Sequence, residues 1–162
     1  TNLVVKFFAY SRFLCAKMTA TYLSQEAIEI VRSIRDTNWI EEETWDNNIF
    51  CCRPAPYDCD ISDPMVDSCS CDCRIVYGAN GVELDEQNPG SLSPLWFSPD
   101  TIPYFSYVQV GTPTEFERII HIEETEDDWL EVCATTQWKH KQQALEITVC
   151  DQLYNWYDPW EI

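Results

Sequence analysis

Six of the nine cysteines stand between residues 51 and 73: adjacent Cys51 and Cys52, then Cys59, then Cys69, Cys71 and Cys73 at alternate positions. Thiols this close support two kinds of chemistry, a soft-metal site or a set of disulfides. In an extended chain alternate side chains point the same way, so Cys69, Cys71 and Cys73 share one face. Structural zinc favours ligand pairs two to four residues apart, commonly C-x-x-C, and the chain contains no such pair. Iron-sulfur spacings are not met either. Disulfides are the favoured expectation and a zinc or iron-sulfur site the alternative. The segment also holds Pro54, Pro56 and Pro64 and little apolar content, so each bridge would offset about 2–4 kcal/mol of chain entropy. Nine is odd, which leaves at least one thiol unbridged or paired between chains.

Other chemistry is sparsely represented. Asp58, Asp60, Asp63 and Asp67 thread the same segment, but a calcium loop opening at Asp58 would place Asp63 where glycine belongs and Cys69 where glutamate belongs. The two histidines, His121 and His140, lie respectively in a predicted strand and in the basic triplet Lys139-His140-Lys141. A strand histidine is ordinarily a packed or hydrogen-bonded residue. Four glycines leave no phosphate-cradling loop, and there is no Walker sequence, G-x-S-x-G elbow or H-E-x-x-H pair. A Cys–His arrangement would need a cysteine and a carboxylate brought to His121 by the fold. No enzyme and no cofactor is therefore expected, zinc being the exception to test.

The elements that must position these residues are readable in outline. Over 24–36, SQEAIEIVRSIRD, the apolar residues Ala27, Ile28, Ile30, Val31 and Ile34 follow a helical period, with Ser24 as the expected N-cap. The segment 51–73 is expected to be an irregular insertion. Gly78-Ala79-Asn80-Gly81 predicts a tight turn between strands 73–77 and 82–85. Residues 87–103 hold Pro89, Pro94, Pro99 and Pro103 and read as an extended crossing without ladder bonds. Strands are expected at 104–110 and 116–124, joined through Gly111-Thr112-Pro113-Thr114, and then at 129–135 and 145–150. In the last, Leu145, Ile147 and Val149 alternate with Glu146, Thr148 and Cys150. The fold class is α+β: one amphipathic helix near the N-terminus, a Cys/Pro-rich loop and a mainly antiparallel β C-terminal half.

Charge divides the chain further. Twenty-eight acids against ten bases give −18, which disfavours a nucleic-acid partner, and no apolar run reaches a membrane span's length. Residues 1–17 nevertheless carry Lys6, Arg12 and Lys17 and no acid, leaving seven bases against all 28 acids in residues 18–162. The basic arm also holds Phe7, Phe8 and Phe13, and Lys6 and Arg12 interrupt the apolar run that a secretory signal needs. Such an arm either packs across the acidic surface of a neighbouring copy or belongs to the domain's own core. At the other end, residues 153–162 form an aromatic tail in which Trp156, Tyr157 and Trp160 are expected to dock on the domain or on a partner.

The expected function is a non-enzymatic structural or assembly subunit, in the manner of a viral or phage head, neck or tail component, whose partners are copies of itself or other subunits. Lys6, Phe7, Phe8, Arg12, Phe13, Trp156, Tyr157 and Trp160 are the expected contacts. A secreted, disulfide-rich binding module is the alternative, and a small zinc or iron-sulfur protein the second. Oxidised cysteines would place the chain in a virion or outside the cell.

Overall fold

The computed structural model describes residues 2–49, 69–78, 81–88, 90–99, 104–109, 111–124 and 129–156. One helix, α1 (Asn2–Ile40), precedes seven strands: β1 (Cys69–Gly78), β2 (Gly81–Glu86), β3 (Ser93–Ser98), β4 (Tyr104–Ser106), β5 (Thr112–Glu124), β6 (Trp129–His140) and β7 (Gln143–Tyr154). The α+β class with an antiparallel C-terminal half is thus observed.

The helix is much longer than 24–36. At 1.5 Å per residue its 39 residues extend about 58 Å. Residues 2–23 contain neither glycine nor proline, so nothing stops the helix upstream of Ser24. Ser24 consequently lies inside the helix and caps nothing. It is fully buried, its Oγ 2.8 Å from Thr136 Oγ1 on β6. The sheet-facing stripe runs through Ala20, Leu23, Ser24, Ala27, Ile28, Val31, Arg35 and Asn38, all buried at helical spacing. Only the first two of these precede the predicted start.

The helix ends in a Schellman-type turn. The Glu43 amide donates to the Asn38 carbonyl at 2.9 Å, the Glu42 amide to Trp39 at 3.4 Å, and Glu42 has φ 57°. A residue with a Cβ is disfavoured in this left-handed conformation. Glu42→Gly is therefore expected to stabilise the fold by about 1 kcal/mol, read as a higher denaturation midpoint at unchanged m-value.

All strand pairs are antiparallel, and β5 is the hub. Along one edge it pairs with β1 through residues 120–124 and with β3 through 112–118. Along the other it pairs with β6, which pairs with β7. The β1–β2 hairpin lies where the Gly78–Gly81 turn placed it. The proline-rich crossing is different: it contains β3. Pro94 is accommodated because a register shift falls between Pro94 and Trp96, so its missing N–H coincides with a ladder irregularity. The hairpin expected around residues 111–114 is also replaced. β4 pairs with β3 rather than with β5, which itself begins at Thr112. Gly111, with φ 95°, instead lets the chain pass tightly against the β3 backbone.

The helix covers one face of the sheet. Ala27, Ile28 and Val31 meet Ile120, Ile122, Val132 and Ala134, while Ala20 and Leu23 meet Leu95, Phe116 and Trp138. The most deeply buried charge among the described residues lies in this apolar layer. Arg118 on β5 is 2% exposed, and its guanidinium donates to Tyr107 Oη at 2.8 Å, the Leu23 carbonyl at 2.6 Å and Glu26 Oε2 at 2.9 Å.

Candidate subunit interface

Around Ala16 the helix parts from the sheet, and the half that precedes it leaves much of its surface uncovered. Leu3, Val4, Val5, Phe7, Phe8 and Tyr10 are each more than half exposed. Leu3, Phe7, Tyr10, Leu14, Met18 and Tyr22 advance in steps of three and four residues, so they form one apolar stripe. It lies largely away from the sheet-facing stripe. Beyond Tyr22 the same line continues through Gln25, Glu29, Arg32 and Asp36, and the surface becomes polar.

Between this half of the helix and the tip of the β6–β7 hairpin lies an open groove of about 790 Å³, lined by Arg12, Cys15, Glu115, Lys139, His140 and Lys141 among others. The Phe13 ring meets the His140 ring edge-on, their centroids 5.4 Å apart. The hairpin tip thus adds its basic triplet to the basic helix.

The cations of the described residues fall into two groups. Arg32 pairs with Glu29 and Asp151, Arg35 with Asp36, Arg74 with Asp85, and Arg118 with Glu26. The Asp151 partnership raises the Arg32 pKa above its ordinary value against the opposing effect of burial. Lys6, Arg12, Lys17, Lys139 and Lys141 are all exposed, and no ion pair joins them to any of the described residues. All five lie at the uncovered end. The sheet's outer face, by contrast, displays Glu115, Glu117, Glu123 and Glu131 at alternate positions of β5 and β6, with Glu146 on β7.

Of the expected contact residues, Lys6, Phe7, Phe8 and Arg12 are exposed on α1, and Phe13 is half-buried beside His140. Trp156 meets Trp39 of its own helix edge-on at 4.7 Å, yet stays 69% exposed. Tyr157 and Trp160 lie outside the described residues. So do Cys51, Cys52 and Cys59, while Cys69 opens β1.

Cys71 and Cys73 share the buried face, as alternation predicts, with their sulfurs 3.6 Å apart. Cys73 is itself disulfide-bonded. A further bridge, Cys133–Cys150, joins β6 to β7 outside the Cys51–Cys73 cluster. Its signal was present: a two-residue turn at Lys141-Gln142 sets Cys133 directly opposite Cys150. Among the described residues no group of three or more His, Cys, Asp or Glu side chains is arranged to hold a metal ion.

Among the described residues no helix is long and apolar enough to cross a membrane. No family model, curated protein or solved structure matches the chain.

Proposed function

We infer that the chain is a non-enzymatic assembly subunit that docks the uncovered half of α1 on the acidic surface of a neighbouring copy. The observation that carries this reading is the segregation of surface among the described residues: an apolar stripe and cations without ion pairs at one end, internally neutralised cations and most of the surplus carboxylate away from it. Six large apolar side chains in line exceed the scattered exposure usual on a monomer and favour burial against protein. Complementary charge would set which surface they meet and in what register. Because arm and acidic face are different patches, the contact closes as a dimer only where two copies exchange arms about a two-fold axis, and otherwise repeats into a ring or a filament.

Sedimentation velocity on the full chain at micromolar concentration, in 50 and 500 mM salt, tests the proposal. The wild type should form oligomers that weaken as salt rises. Leu14→Glu with Met18→Glu should leave monomers, and so should reversal of Lys6, Arg12 and Lys17 to glutamate, both variants retaining the wild-type circular dichroism. A wild type that stays monomeric at both salt concentrations overturns the reading and favours the secreted binding module, for which the Cys133–Cys150 bridge is the supporting observation.

A further inference from the structure

The outer face of the sheet carries a second arrangement, independent of the arm. Asp72 on β1 stands directly opposite His121 on β5, His121 opposite Cys133 on β6, and Cys133 opposite Cys150 on β7. Directly opposed residues in antiparallel strands project on the same side with Cβ atoms about 4.5–5.5 Å apart. Carboxylate, imidazole and disulfide therefore form one row across four strands.

The row is oriented as well as adjacent. Asp72 is mostly buried, its side chain 13% exposed; its Oδ2 accepts the Gly90 amide and its Oδ1 lies 2.8 Å from His121 Nδ1. An imidazole held through Nδ1 has its tautomer and ring plane fixed, which suits Nε2 to receive and return a proton. His121 is 43% exposed, and Cys150 is exposed on β7, an edge strand that pairs only with β6. Both the base and one sulfur can thus be reached from solvent. The bridge is also not what keeps the strands together, because the β6–β7 ladder runs from Trp129–Tyr154 to His140–Gln143 on both sides of it.

We propose that Cys133–Cys150 is a thiol-exchange site, opened by an external dithiol with His121 as the proton carrier and Asp72 as its positioning residue. His121 takes the proton of the first external thiol, whose thiolate attacks Cys150 Sγ. The S–S bond breaks, its electron pair passes to Cys133 Sγ, and that thiolate takes the proton back from His121. The second external thiol repeats the cycle on the mixed disulfide: it gives its proton to His121, closes the external disulfide and expels Cys150 as a thiolate, which His121 protonates. Two electrons and two protons move from the dithiol to the chain, leaving two cysteine thiols and one external disulfide. Among the described residues, Asp72, Arg74, Glu83, Asp85, Glu115, Glu117, Glu123, Glu131, Lys139 and Glu146 are the charged groups that share this face with His121.

The test uses dithiothreitol on the full, folded chain, with time points trapped by alkylation and the Cys133- and Cys150-containing peptides quantified by mass spectrometry. At pH 7 the bridge should open at least tenfold faster in the wild type than in His121→Gln, with Asp72→Asn between them. In His121→Gln the rate between pH 6 and 8 should follow the thiolate fraction of the reagent, nearly tenfold per pH unit, whereas the wild type should show a shallower slope. The bridge containing Cys73 is the internal control and should open at the same rate in all three proteins. Equal Cys133–Cys150 rates in wild type and His121→Gln, or opening that occurs only together with loss of the circular dichroism of the fold, would overturn the proposal.

Discussion

Arg118→Ala should destabilise the fold by about 3–5 kcal/mol, the range expected when one member of a buried ionic network is removed and the rest is left in place. Burial alone would lower the Arg118 pKa, yet Tyr107 and Glu26 hold it above its ordinary value. Tyr107 is raised as well: burial favours the neutral phenol more than the guanidinium favours its ionised form. The arginine is therefore charged wherever the protein is folded. Alanine in its place would leave the Tyr107 hydroxyl without its donor, Glu26 without its cation, and a void beneath the helix at Leu23. Urea denaturation should show the loss as a lower midpoint. Arg118→Met combined with Glu26→Leu replaces the pair by apolar groups and should recover more than half of it. A loss below about 1 kcal/mol in Arg118→Ala would mean that the guanidinium does not bear on the helix–sheet junction.

That junction governs the proposed assembly, because the clamp on Leu23 and Glu26 lies immediately after Tyr22, the last residue of the exposed stripe. With residues 23–38 fixed to the sheet and no breaker upstream, the uncovered half has one exit direction. A helix attached in this way can present its stripe in a defined register without ordering anew on contact, which lowers the entropy cost of association.

How much of this was legible in the sequence depended on whether one physical signal dominated locally. Leu145, Ile147 and Val149 alternate without competition, and β7 presents them toward the helix as expected. Ala27 to Ile34 repeat at helical spacing, and they are helical. Upstream, Val4, Val5 and Phe8 lie off the stripe of Leu3, Phe7 and Tyr10, so apolar residues surround the helix and its period is masked. The same crowding that hid the helix is the feature on which the proposed docking rests. Proline at Pro94 argued against a strand because a regular ladder cannot use it, whereas β3 is irregular at that point. The exposed bases and rings of the arm were legible from charge and aromatic content alone. The row from Asp72 to Cys150 was not, since it joins residues up to 78 positions apart and exists only once four strand registers are set.

Gly111 is a similar case, in which a local cue was read correctly as special backbone but assigned to the wrong structure. Its φ of 95° lies where a side chain is disfavoured, and a Cβ built there would stand 2.3 Å from the Phe97 carbonyl oxygen, 3.0 Å from its carbonyl carbon and 3.1 Å from Ser98 Cα. All three are backbone atoms of β3, so no rotamer change relieves the overlap; the entry into β5 or β3 itself has to move. Gly111→Ala should therefore cost about 2–4 kcal/mol, conformational strain together with overpacking. Gly90→Ala separates these contributions. Gly90 also has a positive φ, of 71°, but nothing lies within 4 Å of its notional Cβ. Alanine there should cost only the conformational part, about 1–2 kcal/mol. Hydrogen exchange should locate the excess: in Gly111→Ala the amides of β3 and β4 should lose protection before those of β6 and β7, because β4 pairs with β3 and not with the hub strand. Equal losses in the two variants would mean that the chain does not pass against Phe97, and the path connecting β4 to β5 would then have to be redrawn.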